Sequence, residues 1–332
     1  MGLPVRRACG FLLPLLALVA LFAILQPARM QHILADFSPR SIGIVLLVLL
    51  MRELIKAMRW WYYLHVAGVP LSPTDGAANF LAGQAVGILP LGEVLRARLL
   101  REHGVPAYDV IPVVTMQLAC DVTAYALIAL AAAYREMIAW WLALLPLVLP
   151  VALAALFSSE RFAARMARML QRHRRTARFV PVEADVRAQA IRLFRPRALL
   201  CGVALSLAAT AMSAVVLLTL VDDLSRASLG WADALVANAL STLVGIISFV
   251  PGGWGAADGS LGGLLSLFGV GASVAFSVTL VYRFLDSVFR TLLGISVLFA
   301  RYRALFFATP DDGPRPQSQR QPVPAESLII RD

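Results

Sequence analysis

Apolar stretches long enough to cross a bilayer recur along almost the whole chain, and this leaves few folds open. A hydrocarbon layer of about 30 Å takes about 20 helical residues. It admits only segments that satisfy their own backbone hydrogen bonds, so such a chain folds as a bundle of helices. The clearest runs are Ala8 to Leu25, Ser41 to Met58, Val110 to Ala133, Ile138 to Phe157, Ala198 to Val221 and Ala272 to Ala300. Of 332 residues, 59% are hydrophobic and 15% are charged, which is not the balance of a water-soluble domain.

The net charge of +10 is almost wholly arginine, since Lys56 is the only lysine. In a membrane protein such an excess marks cytoplasmic loops. No aromatic-plus-basic platform accompanies it, so a nucleic-acid partner is not expected. Cys9, Cys120 and Cys201 have no metal-ligand spacing, and His32, His65, His103 and His173 match no metal signature. No metal or other cofactor is therefore expected. Lys56 follows no glycine loop, which excludes ATP hydrolysis through a P-loop.

Arginine placement sets the orientation. Arg6 and Arg7 put the N-terminus inside, ahead of a first apolar run read as a retained span rather than a cleaved signal. The second run then returns to the cytoplasmic face, with Arg52, Lys56 and Arg59 near its end. Between Ser158 and Arg197 lie eleven arginines against three acids, a basic cytoplasmic linker. Within it Phe162, Met166, Met169 and Leu170 recur at helical spacing, as in an interfacial amphipathic helix or a solvated linker. Residues 1–308 form the membrane domain, and 309–332, rich in Pro, Gln, Ser and charge, a disordered cytoplasmic tail. Both termini are expected in the cytoplasm of a chain in the cytoplasmic (inner) membrane.

Two shorter apolar runs are broken by proline and glycine. Ala77 to Leu91 leads into ILPLGEVLRARLL, with Pro90, Gly92, Glu93 and Arg96. Trp231 to Val250 leads into PGGWGAADG, with Pro251, Gly252, Gly253, Gly255 and Asp258. Each reads as a re-entrant hairpin followed by a span with an aspartate, Asp121 or Asp286. Three full crossings separate the hairpins, so the second copy is inverted. The expected fold is an all-α polytopic membrane protein, with about six full transmembrane helices and two re-entrant helical hairpins in an inverted repeat.

Ionisable groups at membrane depth cost roughly 2.5–3.5 kcal/mol each, so they are rare unless paired or lining a polar cavity. Arg283, Asp286 and Arg290 share one face of the last span, where Asp286 can pair with either arginine. Arg283 is also the natural partner of Asp258, and Glu93 is placed to pair with Arg96. Broken helices point their termini at the midplane, where they and these arginines can hold a lipid phosphate. Glycine lets the backbone approach closely there.

ILPLGEVLRARLL followed by Gly104-Val105, and PGGWGAADG followed by LVYRFLD with Tyr282, Arg283 and Asp286, resemble the two signature regions of the lysylphosphatidylglycerol synthase transmembrane-region, or flippase-like, family. The resemblance runs from about Leu12 to Ala300. Family members often carry a Glu-Arg pair before the aspartate of the first half, where this chain has Met116-Gln117. The resemblance implies a lipid flippase-like membrane region. The tail leads us to expect a stand-alone member, without the aminoacyl-transferase domain that others carry.

The leading expectation is thus a lipid translocator holding a polar or anionic headgroup at the bilayer midplane, and not an enzyme. Its path would be lined by Pro90, Gly92, Glu93, Arg96, Asp121, Pro251, Gly252, Gly253, Gly255, Asp258, Tyr282, Arg283 and Asp286. Its partner is a membrane lipid: an anionic phospholipid, a hopanoid or a polyprenyl-linked lipid. The alternative is a non-transporting accessory protein of a lipid, hopanoid or glycolipid pathway, docked to a lipid-synthesis enzyme. A headgroup transferase using the four carboxylates as Mg²⁺ ligands or acid and base has no local DxxD-like cluster behind it.

Overall fold

The computed structural model describes residues 36–86, 91–101, 103–106, 109–135, 148, 183–225, 228–248 and 255–302. Every regular element among them is helical. Helix α1 is Pro39–Ala67, α2 is Pro73–Gly83 with a 3₁₀ turn Gln84–Val86 at its end, α3 is Leu91–Arg101 and α4 is Val110–Arg135. Then come α5 Glu183–Leu193, α6 Pro196–Leu224, α7 Trp231–Ile247, α8 Ala256–Leu267 and α9 Ala272–Tyr302. The expected spans Ala8 to Leu25 and Ile138 to Phe157, and the tail 309–332, lie outside the described residues, as does the stretch with Phe162, Met166, Met169 and Leu170.

α4, α6 and α9 are long and apolar enough to cross a membrane. α1 has the length, 29 residues, or about 43 Å at ~1.5 Å per residue, but carries charge in its middle. This corrects the expected end of the second span near Met58. Arg52, Glu53 and Arg59 are 3%, 0% and 1% exposed, and the helix runs on for two further turns. Ser38 caps its start, taking the Ser41 N–H at 3.2 Å ahead of Pro39. Its end comes only at Gly68, where φ is +89°. There the Gly68 and Val69 N–H groups turn back to the carbonyls of His65 and Leu64 at 3.0 and 2.9 Å, a Schellman closure. Nothing between Arg52 and Ala67 breaks a helix, and the partners that make those charges tolerable come from other helices.

The last part of the basic linker is likewise corrected from loop to core. α5 packs on α1 and α4, burying Gln189, Ala190 and Leu193. The Arg192 guanidinium donates to Ala67 O at 2.9 Å, so this cation caps the end of α1.

Among the described residues two large apolar cores form, one toward each end of α1, with a smaller cluster of Ala82, Leu99 and Leu298 joining α2, α3 and α9. The first gathers Val45, Leu49, Leu217, Leu220, Ala234, Leu265 and Val278 from α1, α6, α7, α8 and α9. The second gathers Trp60, Tyr63, Phe80, Leu100, Val113, Met116 and Leu193 from α1 to α5. Between them α1 carries its charges, and α6 carries Ser206, Thr210 and Ser213 at one-turn spacing. A polar layer therefore crosses the middle of the bundle, with apolar packing on either side.

The halves repeat one order. α2 packs on α3, and α7 on α8; each pair is followed by a long helix with an aspartate, Asp121 on α4 or Asp286 on α9. The connections that hold Pro90 and Pro251, Gly252 and Gly253 lie outside the described residues. α9 lies across the 3₁₀ turn of the first half so closely that a Cβ on Gly294 would overlap the backbone of Gln84 and Ala85. Gly294→Val is expected to lower stability by about 1–3 kcal/mol, since two backbones cannot move apart cheaply. Gly263→Ala, with nothing within 4 Å of the added methyl, should leave it unchanged or raised. Thermal unfolding in detergent checks the pair, and equal midpoints would contradict the close approach.

Candidate functional site

Glu53 is the middle residue of α1, Thr210 of α6 and Ser287 of α9, and Asp121 adjoins the middle of α4. All four helices thus carry polar residues near their midpoints. Arg52 of α1 donates to Asp286 Oδ1 of α9, to Glu53 Oε1 at 2.9 Å and to Ser213 Oγ of α6 at 3.3 Å. Its Nη1 also reaches the Tyr282 hydroxyl at 3.4 Å, which donates to Asn238 Oδ1 of α7 at 3.3 Å. The other Asp286 oxygen pairs with Arg290 at 2.7 Å. Glu53 takes Lys56 at 3.6 Å and, on its second oxygen, Gln84 of the 3₁₀ turn at 3.0 Å. Each of these buried charges is therefore both paired and hydrogen-bonded, which offsets the cost of taking it out of water.

A second cluster lies two turns along α1. Arg59 grips both oxygens of Asp121, with Nη2 to Oδ2 at 3.0 Å, and donates to Ser206 Oγ. The bidentate fork suits arginine and not lysine. The half that lacks a Glu-Arg pair on α4 thus receives its cation from α1. A third cluster joins α8 to α9. Arg283 Nε donates to Asp258 Oδ1 at 2.7 Å, while Asp258 Oδ2 accepts the Gly255 N–H at 3.1 Å. Gly255 has φ +81°, a conformation that glycine adopts without strain, and there it starts α8.

These clusters wall a cavity of about 450 Å³. Among the expected residues, Asp121, Asp258, Tyr282, Arg283 and Asp286 line it. Gly92, Glu93, Arg96 and Gly255 are not among its described lining residues. Arg96 pairs with Glu93 at 2.6 Å, as its spacing suggests, but its guanidinium sits 4.2 Å from the Phe80 ring centroid and 5.0 Å from that of Trp60. It also donates to Phe80 O at 3.3 Å, while Asn79 takes hold of Arg96 O at 3.0 Å. Arg96 is a packing piece that ties α3 to α2 and α1. Pro90, Pro251, Gly252 and Gly253 lie outside the described residues.

Sequence reasoning missed Arg52, Lys56 and Arg59 as interior groups, and the hydroxyl stripe on α6. A signal was present: 52, 56 and 59 share one helical face, as do 206, 210 and 213, and apolar sequence resumes after each set.

Burial orders the cost of breaking these pairs. The side chains of Arg52 and Asp286 are 4% and 9% exposed, those of Arg283 and Asp258 19% and 22%. Arg52→Ala leaves two carboxylates buried and is expected to cost about 3–5 kcal/mol, Arg283→Ala about 1–3 kcal/mol. Unfolding midpoints of the two purified variants in one detergent test the order; a reversed order would sink it.

A family model described as lysylphosphatidylglycerol synthase TM region matches residues 8–294. No curated protein matches the chain. The match takes in both broken helix pairs, the charged layer and the long apolar helices. The chain therefore belongs to the lysylphosphatidylglycerol synthase TM region family, whose members are multi-pass membrane proteins of lipid metabolism or transport.

Proposed function

We propose that this protein translocates a lipid across the cytoplasmic membrane, holding the polar headgroup in the central cavity while the acyl or isoprenoid chains stay in the bilayer. In this reading it makes no covalent bond, and both termini face the cytoplasm. The observation that carries it is the level of the cavity. Its charged lining falls at the middle of four long helices, three of them apolar enough to span. A headgroup in transit is most costly to hold at that depth, and fixed charges and dipoles there replace the water it has lost.

The make-up of the lining supports the same reading. A cavity of about 450 Å³ falls within the usual range for small-ligand sites, roughly 300–1,000 Å³. Its arginines and lysine suit an anionic or polar headgroup. Arg283 and Asp258, the more exposed pair, join α8 to α9 and are the groups most easily separated to admit it.

Purified protein in proteoliposomes, with headgroup-accessible fluorescent phosphatidylglycerol, should move lipid between leaflets. Arg283→Ala and Asp258→Ala should each slow that movement about tenfold or more, with folding retained. Wild-type protein that moves no lipid would overturn the proposal. It would shift the reading to an accessory role beside a lipid-synthesis enzyme.

A further inference from the structure

We propose that Lys56 is a proton carrier, and that the protein moves an anionic headgroup together with a proton, so that a pH difference across the membrane drives the lipid. This rests on the translocator reading and adds what powers it.

Four of the five cations described in the charged layer are arginines: Arg52, Arg59, Arg283 and Arg290. A guanidinium keeps its proton at any pH a cell meets, whereas an ammonium can give one up. Lys56, the only lysine in the chain, is therefore the one member of the set that can change its charge. It lines the cavity with its side chain 27% exposed, so a proton can pass between Nζ and water there. Ionisable groups at membrane depth with such access are the usual stations of proton relays.

Among the described residues Nζ has one ion-pair contact, 3.6 Å to Glu53 Oε1, an oxygen that Arg52 also takes at 2.9 Å. Asp286 and Arg290 of α9 are the other charges that act on it. Asp121 of α4, Asp258 of α8 and Arg283 of α9 stand on the same cavity wall, each held in an ion pair of its own. The phenols of Tyr125 and Tyr282 share that wall, while α6 and α7 bring only uncharged side chains to it. α2 and α5 also pack on α1, but their described charges are spent at its far end, Asp75 on Arg301 and Arg192 on Ala67 O.

Charge balance ties the proton to the headgroup. Against the five cations the layer sets four carboxylates, Glu53, Asp121, Asp258 and Asp286. With the cavity empty and Lys56 charged, one positive charge is left over between two apolar cores. A low-dielectric surrounding penalises that excess. Two states remove it. In one the cavity is empty and Lys56 has passed its proton to water; in the other Lys56 is charged and a headgroup with one negative charge lies beside it. A charged lysine without a headgroup, or a headgroup beside a neutral lysine, leaves a net charge behind. Headgroup and proton therefore enter together and leave together, and each raises the affinity for the other.

The test is binding of dioctanoyl phosphatidylglycerol to the full chain in detergent micelles, followed calorimetrically in buffers of different ionisation heat. The lipid's phosphodiester keeps its single charge throughout, so any proton taken up is taken up by the protein. Toward alkaline pH the wild type should take up close to one proton per lipid bound, with affinity falling about tenfold per pH unit. Lys56→Arg, which keeps the charge but not the exchangeable proton, and Lys56→Gln should both bind without proton uptake. Acetylation verified at Lys56 by mass spectrometry should do the same without a substitution. In proteoliposomes an imposed pH gradient should drive fluorescent phosphatidylglycerol toward the alkaline side, and Lys56→Arg should lose that bias. Wild-type binding without proton uptake, uptake that survives both substitutions, or no binding at any pH would overturn the proposal. Lipid that moves regardless of the gradient would also overturn it and leave the translocator reading standing. Lys56-dependent proton uptake on binding with no lipid movement would keep Lys56 as the proton site and overturn the translocator reading.

Discussion

The contact between Arg52 and Asp286 is the constraint on which the rest of this bundle turns. Neither group is tolerable alone between two apolar cores, and the partner each has on its own helix, Glu53 for Arg52 and Arg290 for Asp286, still leaves hydrogen-bonding capacity to fill. Arg52 therefore commits α1 to α9, and its further bonds to Ser213 and Tyr282 draw α6 and α7 to the same point. Gln84, reaching Glu53 from the 3₁₀ turn, adds the first half. Apolar packing alone would allow these helices to rotate or slip against one another. A turn of α1 by one residue, about 100°, would carry its charges out of reach of every partner.

The same layer separates what holds the fold from what can hold a ligand. Arg52, Glu53 and Arg59 are almost wholly enclosed, and each is held by an ion pair to a neighbouring side chain. Lys56, Arg283 and Arg290 stand at the edge of the cavity with side chains 27%, 19% and 24% exposed. Removing a member of the first set leaves a stranded charge. Removing one of the second changes the charge of the cavity wall.

Much of this was legible in the sequence, and the remainder was hidden for a physical reason. The helical class, the broken pairs and their aspartates follow from span length and from proline and glycine. Glu93 with Arg96, and Asp258 with Arg283, are close in the chain or one hairpin apart, so their pairing could be read. Arg52 and Asp286 are separated by 234 positions, and no local pattern links them. Basic residues late in an apolar run ordinarily mark the membrane surface, so Arg52, Lys56 and Arg59 carried the signature of a loop while serving as an interior. Arg96 was legible as the partner of Glu93, but the two aromatic rings it packs against, Trp60 and Phe80, come from other helices and could not be read.

Arg52 and Arg59 are seven residues apart on one helix, about 10 Å along its axis, and they hold different partners: the aspartate of the second half and that of the first. α1 is in effect a shaft keyed to both halves at two heights. Any relative displacement of the halves has to release a key at one height or the other. The two are unequal, since the side chain of Asp121 is 24% exposed and that of Asp286 only 9%. Water can take over from Arg59 at Asp121 more cheaply than from Arg52 at Asp286. Of the two keys, the one between α1 and α4 is therefore the more open to hydration, and it joins α1 to the first half while the drier one joins it to the second.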